Sequence, residues 1–253
     1  MKASVRRLQL HRRRYFSQSG EDGLLDYLLQ RIAVRDRWCV EFGAWDGRHL
    51  SNCYHLIADI GYRAVLIELD ADRCAALAAN MAVFGSSCLN REVGYEGEKK
   101  LDAILAETPI PHDFDLLSID IDSDDYRVWQ ALEDYSPKIV VIEINIRDLP
   151  GVERINVPGS PTVWGSSGSS ITSLTALATE KGYSLVAMVG CNAIYVRHEF
   201  LHLFHPREVT VKDVFTYEGH ASSELTLSQR LRKFEVMLCV SQRLRRLRVG
   251  WSK

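Results

Sequence analysis

The stretch Cys39-Val40-Glu41-Phe42-Gly43-Ala44-Trp45-Asp46-Gly47 decides the fold of this chain. It begins as a short apolar run, reaches an acid and then turns on a glycine, which is typical of a buried strand that ends in a tight turn. The dinucleotide fingerprint G-x-G-x-x-G needs three glycines in such a turn, and only Gly43 and Gly47 are present here. The stretch therefore predicts a strand that leads into a ligand-binding loop, and it leaves the ligand open.

Short apolar runs alternate with helical patterns along the rest of the chain. Strands are predicted at 37–42, 62–69, 87–92, 114–121, 138–144, 183–189 and 193–196. Helices are predicted at 50–60, 72–84, 99–107, 124–135 and 171–181. Repeated βαβ units imply a parallel sheet with helices on both faces. The expected fold class is α/β, with a Rossmann-like, doubly wound seven-stranded sheet that is mostly parallel and closes with an antiparallel hairpin strand.

Basic residues concentrate at the two ends of the chain. Residues 1–14 carry six Lys or Arg and no acid, and residues 224–253 carry eight Lys or Arg against two acids. We expect a basic N-terminal arm (1–14), a main domain (15–205) that begins with an extra helix, and a helical, Arg-rich C-terminal extension (206–253). The amphipathic segment 227–248 either packs on the body or a partner chain, or contacts an anionic membrane surface.

The composition indicates where in the cell we expect the protein to be found. No run of 18 or more apolar residues occurs, and the basic N-terminus lacks the apolar core of a secretory signal. The six cysteines form no C-x-x-C pair and no zinc-ligand spacing, which favours reduced thiols. We therefore expect a cytoplasmic protein, with attachment to the inner membrane face as an alternative, and no nucleic-acid partner. A homo-oligomer is left open.

Acidic residues follow three of the predicted strands. In a doubly wound sheet, ligands bind beyond the carboxyl ends of the strands, near the switch in strand order. Glu68 ends the second strand, where a carboxylate suits the two hydroxyls of a ribose. Asp120, Asp122 and Glu143 follow the fourth and fifth strands and could converge on one volume, where they suit a general base or a Mg²⁺ ion. An alternative is that Asp122 only caps the next helix.

These motifs together resemble a known family. The residues that carry the resemblance are Y-F-S-Q-S-G-E-D-G (15–23), V-E-F-G-A-W-D-G (40–47), V-L-I-E-L-D (65–70), F-D-L-L-S-I-D-I-D (114–122) and V-V-I-E-I-N (140–145). In this order they resemble class I methyltransferases that use S-adenosylmethionine, and in particular the FkbM-like methyltransferases. The likeness runs from about residue 15 to residue 198. Asp122-Ser123 and Glu68-Leu69 depart from the acid-glycine and Glu-Pro pairs that the family often shows, which leaves the catalytic base in doubt.

The resemblance implies roles for individual residues. The cofactor would contact Gln18, Glu41, Gly43, Ala44, Gly47, Glu68 and Asp120. Among these, Glu68 would hold the ribose, and Gln18 would belong to a flap over the site together with Asp22, unless the two only cap the following helix. The candidate bases are Asp120, Asp122 and Glu143, with His49 as a weaker one, and a Mg²⁺ ion on the same three carboxylates is an open alternative. Residues expected to contact the acceptor are Trp45, Asn145 and Trp164.

The implied activity is an in-line transfer of a methyl group to a hydroxyl of a sugar, a glycan or a secondary metabolite. Two other classes of function stay open. Asp120-Ile121-Asp122 is a D-x-D pattern that could hold a metal ion in a glycosyltransferase, although that pattern does not explain the motifs at 40–47 and 65–70. The chain could also be a non-catalytic binding protein with a methyltransferase fold. A nicotinamide dehydrogenase fits poorly, because Trp45 stands where a pyrophosphate needs bare backbone.

Overall fold

A computed structural model describes residues 2–32, 36–121, 124–158 and 167–215 of the chain. The described residues form one seven-stranded sheet with helices on both faces. Its strands are β1 Trp38–Phe42, β2 Arg63–Glu68, β3 Ser87–Asn90, β4 Leu116–Ile119, β5 Ile139–Glu143, β6 Tyr183–Val189 and β7 Asn192–Arg197. Their order across the sheet is β3-β2-β1-β4-β5-β7-β6, and β7 alone runs antiparallel to the other six strands. The expected fold class is confirmed.

Eight α-helices lie among the described residues, together with three short 3₁₀ helices. The α-helices are α1 Ala3–Gln9, α2 Glu21–Leu29, α3 Tyr54–Ala58, α4 Ala71–Met81, α5 Leu101–Ala106, α6 Asp125–Ala131, α7 Ile171–Glu180 and α8 Val211–Val214. The 3₁₀ helices are Ala82–Phe84, Gly97–Lys99 and His198–Leu203. Each predicted strand and helix that falls on described residues is present, with ends that differ by a few residues.

The helix predicted at 50–60 is the largest discrepancy, because α3 begins only at Tyr54. Leu50 adopts a left-handed conformation with a φ of 59° and pairs with Ser17 in an isolated parallel bridge. The hydroxyl of Ser51 accepts hydrogen bonds from the backbone N–H groups of Cys53 and Tyr54, at 3.1 and 2.9 Å. These bonds form a serine turn that competes with a helical turn before the N-cap Cys53, so the apolar spacing from Leu50 was misleading.

The sheet is buried on both faces, and each strand supplies both layers. In β1, Val40 and Phe42 belong to one hydrophobic core and Cys39 belongs to the other. In β5, Val140 and Ile142 alternate in the same way with their neighbours on the second face. Side chains of a strand point alternately to its two faces, so a near-continuous apolar run is what a doubly covered parallel sheet requires.

The N-terminal region packs onto the domain. Helix α1 buries Val5 and Leu8, and it contacts β6. The predicted helical face of Leu24, Leu25, Leu28 and Leu29 lies on α2 and is buried. The stretch that we expected to be a basic arm thus contains a docked helix whose apolar residues face the domain, while Arg6 and Arg7 stay exposed.

The C-terminal region is described only in part. Residues 206–215, which we assigned to the extension, include α8, and α8 packs against β6 and α7. The predicted amphipathic segment 227–248 lies outside the described residues. None of the helices in the described part of the chain is long and apolar enough to cross a lipid bilayer.

Candidate functional site

Four of the predicted site residues lie side by side at the carboxyl ends of neighbouring strands, along one edge of the sheet. Phe42 pairs with Ile67 on one side and with Ile119 on the other, and Ile119 pairs with Ile142. The next residue along each strand is therefore Gly43, Glu68, Asp120 or Glu143. The chain proceeds from β1 outward to β2 and β3 and then returns to β4, so these residues flank the switch in strand order, where ligands bind in such sheets.

A cavity of about 810 Å³ opens at this edge of the sheet. Eight of the predicted site residues line it, namely Gln18, Glu41, Gly43, Ala44, Trp45, Glu68, Asp120 and Glu143, and His49 lines it as well. Gly47 and Asn145 do not, whereas Asp122 and Trp164 lie outside the described residues. Most of the residues predicted from separate motifs thus share one volume.

Gly43 lets the loop after β1 approach the end of β4. Its φ of 73° lies in the left-handed region, and a Cβ atom added there would lie 1.9 Å from the carbonyl oxygen of Asp120. Only glycine avoids both problems. The N–H of Ala44 then donates to the carbonyl of Ile67 at 3.1 Å, which ties the loop to β2 as well. Gly43 is therefore needed for the contact between the two strand ends, whichever ligand is bound.

Gly47 closes the turn that Gly43 opens. Its N–H donates to the carbonyl of Ala44 at 2.7 Å, and its φ is 76°. A Cβ atom at this position would lie 2.5 Å from the Leu77 side chain on α4. The structure therefore places Gly47 against a helix and away from the cavity, so its predicted contact with the cofactor has no geometric support.

Glu68 presents an oriented carboxylate to the cavity. The backbone N–H of Trp45 donates to its Oε2 at 2.8 Å, and the N–H of Asp70 donates to its Oε1 at 2.9 Å. The side chain of Asn90 donates to the carbonyl oxygen of Glu68 at 2.9 Å. Each carboxylate oxygen keeps a further lone pair after these bonds. Glu68 can thus accept two more hydrogen bonds from a ligand without moving.

Trp45 stands at the rim of the cavity in a strained conformation. Its φ is 50°, which is unusual for a bulky residue, and its side chain is 46% exposed. The guanidinium of Arg73 lies over the indole ring, 4.8 Å from its centroid, and the ring of His49 meets it edge to face at 5.4 Å. Strain of this kind persists when its surroundings fix it, and here the bond from the Trp45 N–H to Glu68 does so.

Glu41 is a buried acid at the centre of a hydrogen-bond network. It accepts from the hydroxyl of Ser51 and from the backbone N–H of Asn52 at 2.8 Å. Burial raises the pKa of the Glu41 carboxyl, and these donors oppose the rise. Two donors from Ser51 and Asn52 on one carboxylate fix the loop that follows the first turn, so Glu41 orders the wall of the cavity from behind.

The acids at the ends of β4 and β5 lie near a cysteine. The pKa of the Cys191 thiol is raised well above its ordinary value, first by burial and then by the charges of Glu143 and Asp120. This thiol in the β6–β7 turn therefore stays protonated at neutral pH. Among the described residues, no group of three or more His, Cys, Asp or Glu side chains could hold a metal ion. The Mg²⁺ alternative has no support from the part of the chain that is described, and Asp122 lies outside it.

The predicted flap is held by Asp22. One oxygen of this buried carboxylate accepts from the backbone N–H groups of Tyr15, Phe16 and Ser17 at 2.8–2.9 Å. Gln18 follows, lines the cavity, and accepts a hydrogen bond from the Cys191 thiol at 3.5 Å. Asp22 thus shapes the segment from inside the protein, and Gln18 is the residue that reaches the site.

Several residues of the cavity wall had no signal in the sequence. They are Ser51 and Asn52 after the first turn, Leu69 and Arg73 beyond β2, and the loop 91–96 beyond β3. In the loop after the third strand, Glu92, Gly94 and Glu96 come two or more residues beyond the strand end at Asn90, whereas the acid or glycine of the other loops at the site ends or directly follows its strand. Its position at the site follows from the strand order, in which β3 lies next to β2.

The order of the strands, with a single antiparallel strand between β5 and β6, is that of the Rossmann-like fold of class I methyltransferases. No known family profile and no curated protein matches the chain.

Three solved structures are weakly similar to this chain. A SAM-dependent methyltransferase from Aquifex aeolicus is 16% identical over 68% of this chain and 86% of its own, with a TM-score of 0.38. The magnesium protoporphyrin IX methyltransferase ChlM from Synechocystis PCC 6803, with bound SAH, is 10% identical over 77% and 85%, with a TM-score of 0.45. The glycopeptide N-methyltransferase MtfA, complexed with SAM, is 12% identical over 72% and 93%, with a TM-score of 0.42.

Proposed function

We propose that this protein is an S-adenosylmethionine-dependent methyltransferase. The observation that carries the proposal is the carboxylate of Glu68, oriented by the N–H groups of Trp45 and Asp70 at the end of the second strand. An acid at this point of a doubly wound sheet is suited to the two hydroxyls of a ribose. The loop of Gly43 and Ala44 beside it would receive the methionine end of the cofactor, as the resemblance to FkbM-like methyltransferases implies.

The charge of the cavity favours this cofactor over nucleotides that carry a pyrophosphate. The described residues that line the cavity include the carboxylates of Glu41, Glu68, Glu92, Glu96, Asp120, Asp124 and Glu143. The cations that line it are Arg73, Arg91 and Lys99, of which Lys99 pairs with Glu92 and Arg91 with Glu107. A surplus of acids repels the pyrophosphate of NAD⁺ or a UDP-sugar and attracts the sulfonium and ammonium groups of S-adenosylmethionine.

When it is bound, S-adenosylmethionine supplies an electrophilic methyl group, so the protein has to align the acceptor and remove a proton. Asp120 and Glu143 line the cavity beyond β4 and β5, on the side away from β2, where an acceptor could approach the methyl group. We propose that one of them, or Asp122, is the base. The acceptor that we propose is a hydroxyl of a sugar, a glycan or a secondary metabolite, stacked on the exposed ring of Trp45.

Ligand binding tests the proposed cofactor. We expect S-adenosylhomocysteine to bind with a dissociation constant in the micromolar range, about −8 kcal/mol. NAD⁺, and UDP-glucose with Mn²⁺, should bind at least about 100-fold more weakly because the cavity repels their phosphates. Isothermal titration calorimetry on the full chain measures all three. Absence of binding by S-adenosylhomocysteine would rule out the proposal, and tight binding of UDP-glucose with Mn²⁺ would favour a glycosyltransferase.

The proposed base is tested by substitutions that remove a charge and keep the shape of the side chain. Asp120→Asn and Glu143→Gln should each keep the affinity for S-adenosylhomocysteine within about tenfold, and the one at the true base should lower turnover by about 100-fold or more. Transfer is measured by mass spectrometry as the gain of one methylene across a panel of candidate glycans. If both variants keep the full rate, neither carboxylate is the base.

A further inference from the structure

Asn52 has a buried oxygen without a hydrogen-bond donor, and it lies at the cavity. The residue lines the cavity wall and is only 5% exposed. Its backbone N–H donates to Glu41 at 2.8 Å, and its Nδ2 donates to the hydroxyl oxygen of Ser118 at 3.0 Å. Its Oδ1 has no partner among the described residues. A buried acceptor of this kind carries an unrecovered desolvation cost, which a bound ligand or a water molecule can recover.

The hydrogen bond to Ser118 orients the amide of Asn52. A side-chain amide could in principle be turned over, which would exchange the oxygen and the nitrogen. In the structure Nδ2 faces the hydroxyl oxygen of Ser118 at 3.0 Å, and Oδ1 is the atom without a partner among the described residues. Ser118 also opposes the rise in the pKa of the Glu41 carboxyl, which favours a hydroxyl proton directed to Glu41 and an oxygen that accepts from Asn52.

The surroundings of this oxygen determine the ligand group that fits it. The group must be a donor, because Oδ1 is an acceptor, and a positive charge is favoured because the carboxylate of Glu41 bonds the backbone N–H of the same residue and further acids line the same cavity. We infer that Asn52 Oδ1 accepts a hydrogen bond from the protonated amine of the bound cofactor, with Ser118 and Glu41 as positioning residues. The inference rests on the proposed function, since it assigns that amine to S-adenosylmethionine.

A comparison of two ligands on the unaltered protein tests this contact. The probes are S-adenosylhomocysteine and its analogue in which hydrogen replaces the amino group. We expect the full chain to bind the analogue at least about tenfold more weakly in calorimetry, because the analogue cannot donate to Asn52. Equal affinities for the two ligands would overturn the inference and leave the proposed function intact. Failure of S-adenosylhomocysteine itself to bind would overturn both.

Variants test whether the difference in affinity between the two ligands arises at Asn52. Asn52→Ala should weaken the binding of S-adenosylhomocysteine by about tenfold and leave the affinity for the analogue unchanged. The preference of the protein for S-adenosylhomocysteine over the analogue should therefore disappear. Ser118→Ala should reduce the preference in part, because the amide is then free to turn over. The matched control is Asn80→Ala, which removes an exposed asparagine that donates to the carbonyl of Asp46 at 2.8 Å and should keep the full preference. A preference that survives Asn52→Ala would contradict the assignment.

Discussion

Glu68→Gln is expected to weaken the binding of S-adenosylhomocysteine by about 100-fold, or roughly 3 kcal/mol. Both oxygens of the carboxylate already accept a backbone N–H, from Trp45 and from Asp70, and the proposed contact with the ribose uses both of them as well. A glutamine has one NH₂ group, and in either orientation that group faces one of those N–H donors. The substitution therefore loses ligand hydrogen bonds and disturbs two loops. Titration calorimetry on the purified variant measures the loss.

A second carboxylate of the same cavity provides the control for this substitution. Glu92 also lines the cavity, but its side chain is 52% exposed and pairs with Lys99 at 2.7 Å. Glu92→Gln removes the same charge at a solvated position, so we expect an effect below about threefold. If the two variants lose affinity equally, the loss reflects the overall charge of the cavity, and Glu68 has no specific role in holding the ribose.

Gly43→Ala is expected to lower the free energy of unfolding by at least about 3 kcal/mol. The left-handed φ of 73° alone costs a non-glycine residue roughly 1–2 kcal/mol. The added Cβ would also lie 1.9 Å from the carbonyl oxygen of Asp120, and that atom belongs to the backbone at the end of a central strand. It cannot move away as the tip of a side chain could. Urea unfolding, with the slope of the transition compared between variants, measures the change.

Gly61→Ala separates the conformational cost of a left-handed φ from the cost of the contact with Asp120. Gly61 has a φ of 82°, close to that of Gly43, and no atom lies within 4 Å of its added Cβ. We expect this variant to lose only the conformational part, roughly 1–2 kcal/mol. The difference between the two variants then reports the contact with Asp120. If both substitutions cost the same, the loops after β1 and β4 are not as close as the structure places them.

Prediction from the sequence succeeded where the signal was local. The strand of Val40 and Phe42 is buried on both faces, and an apolar run in the sequence predicts it directly. The acids that end neighbouring strands could be assigned to one edge of the sheet once the βαβ pattern was recognised. It failed where side-chain hydrogen bonds override apolar spacing. The helix predicted from Leu50 begins only at Tyr54, since a serine turn at Ser51 competes with a helical turn there.

The residues of the site divide in the same way, into those that a local pattern predicts and those that only tertiary contacts identify. Glu68, Asp120 and Glu143 were predicted individually because each is an acid at the end of an apolar run, and the register of the sheet places all three at the cavity. Asn52 and Arg73 were not predicted, because each is an ordinary polar residue in a loop or at the start of a helix. Their significance depends on what they contact: Ser118, 66 residues away along the chain, for Asn52, and the ring of Trp45 for Arg73.

The sequence by itself determined the order of strands and helices along the chain, the class of the fold and the edge of the sheet at which the cavity opens. These follow from apolar periodicity and from glycine and proline stops, which act over a few residues. Only the tertiary structure decided why Gly43 must be glycine, how the carboxylate of Glu68 is aimed and which atom of Asn52 lacks a partner. Each of these depends on a contact between loops far apart in the chain, and the close packing of the sheet brings those loops together.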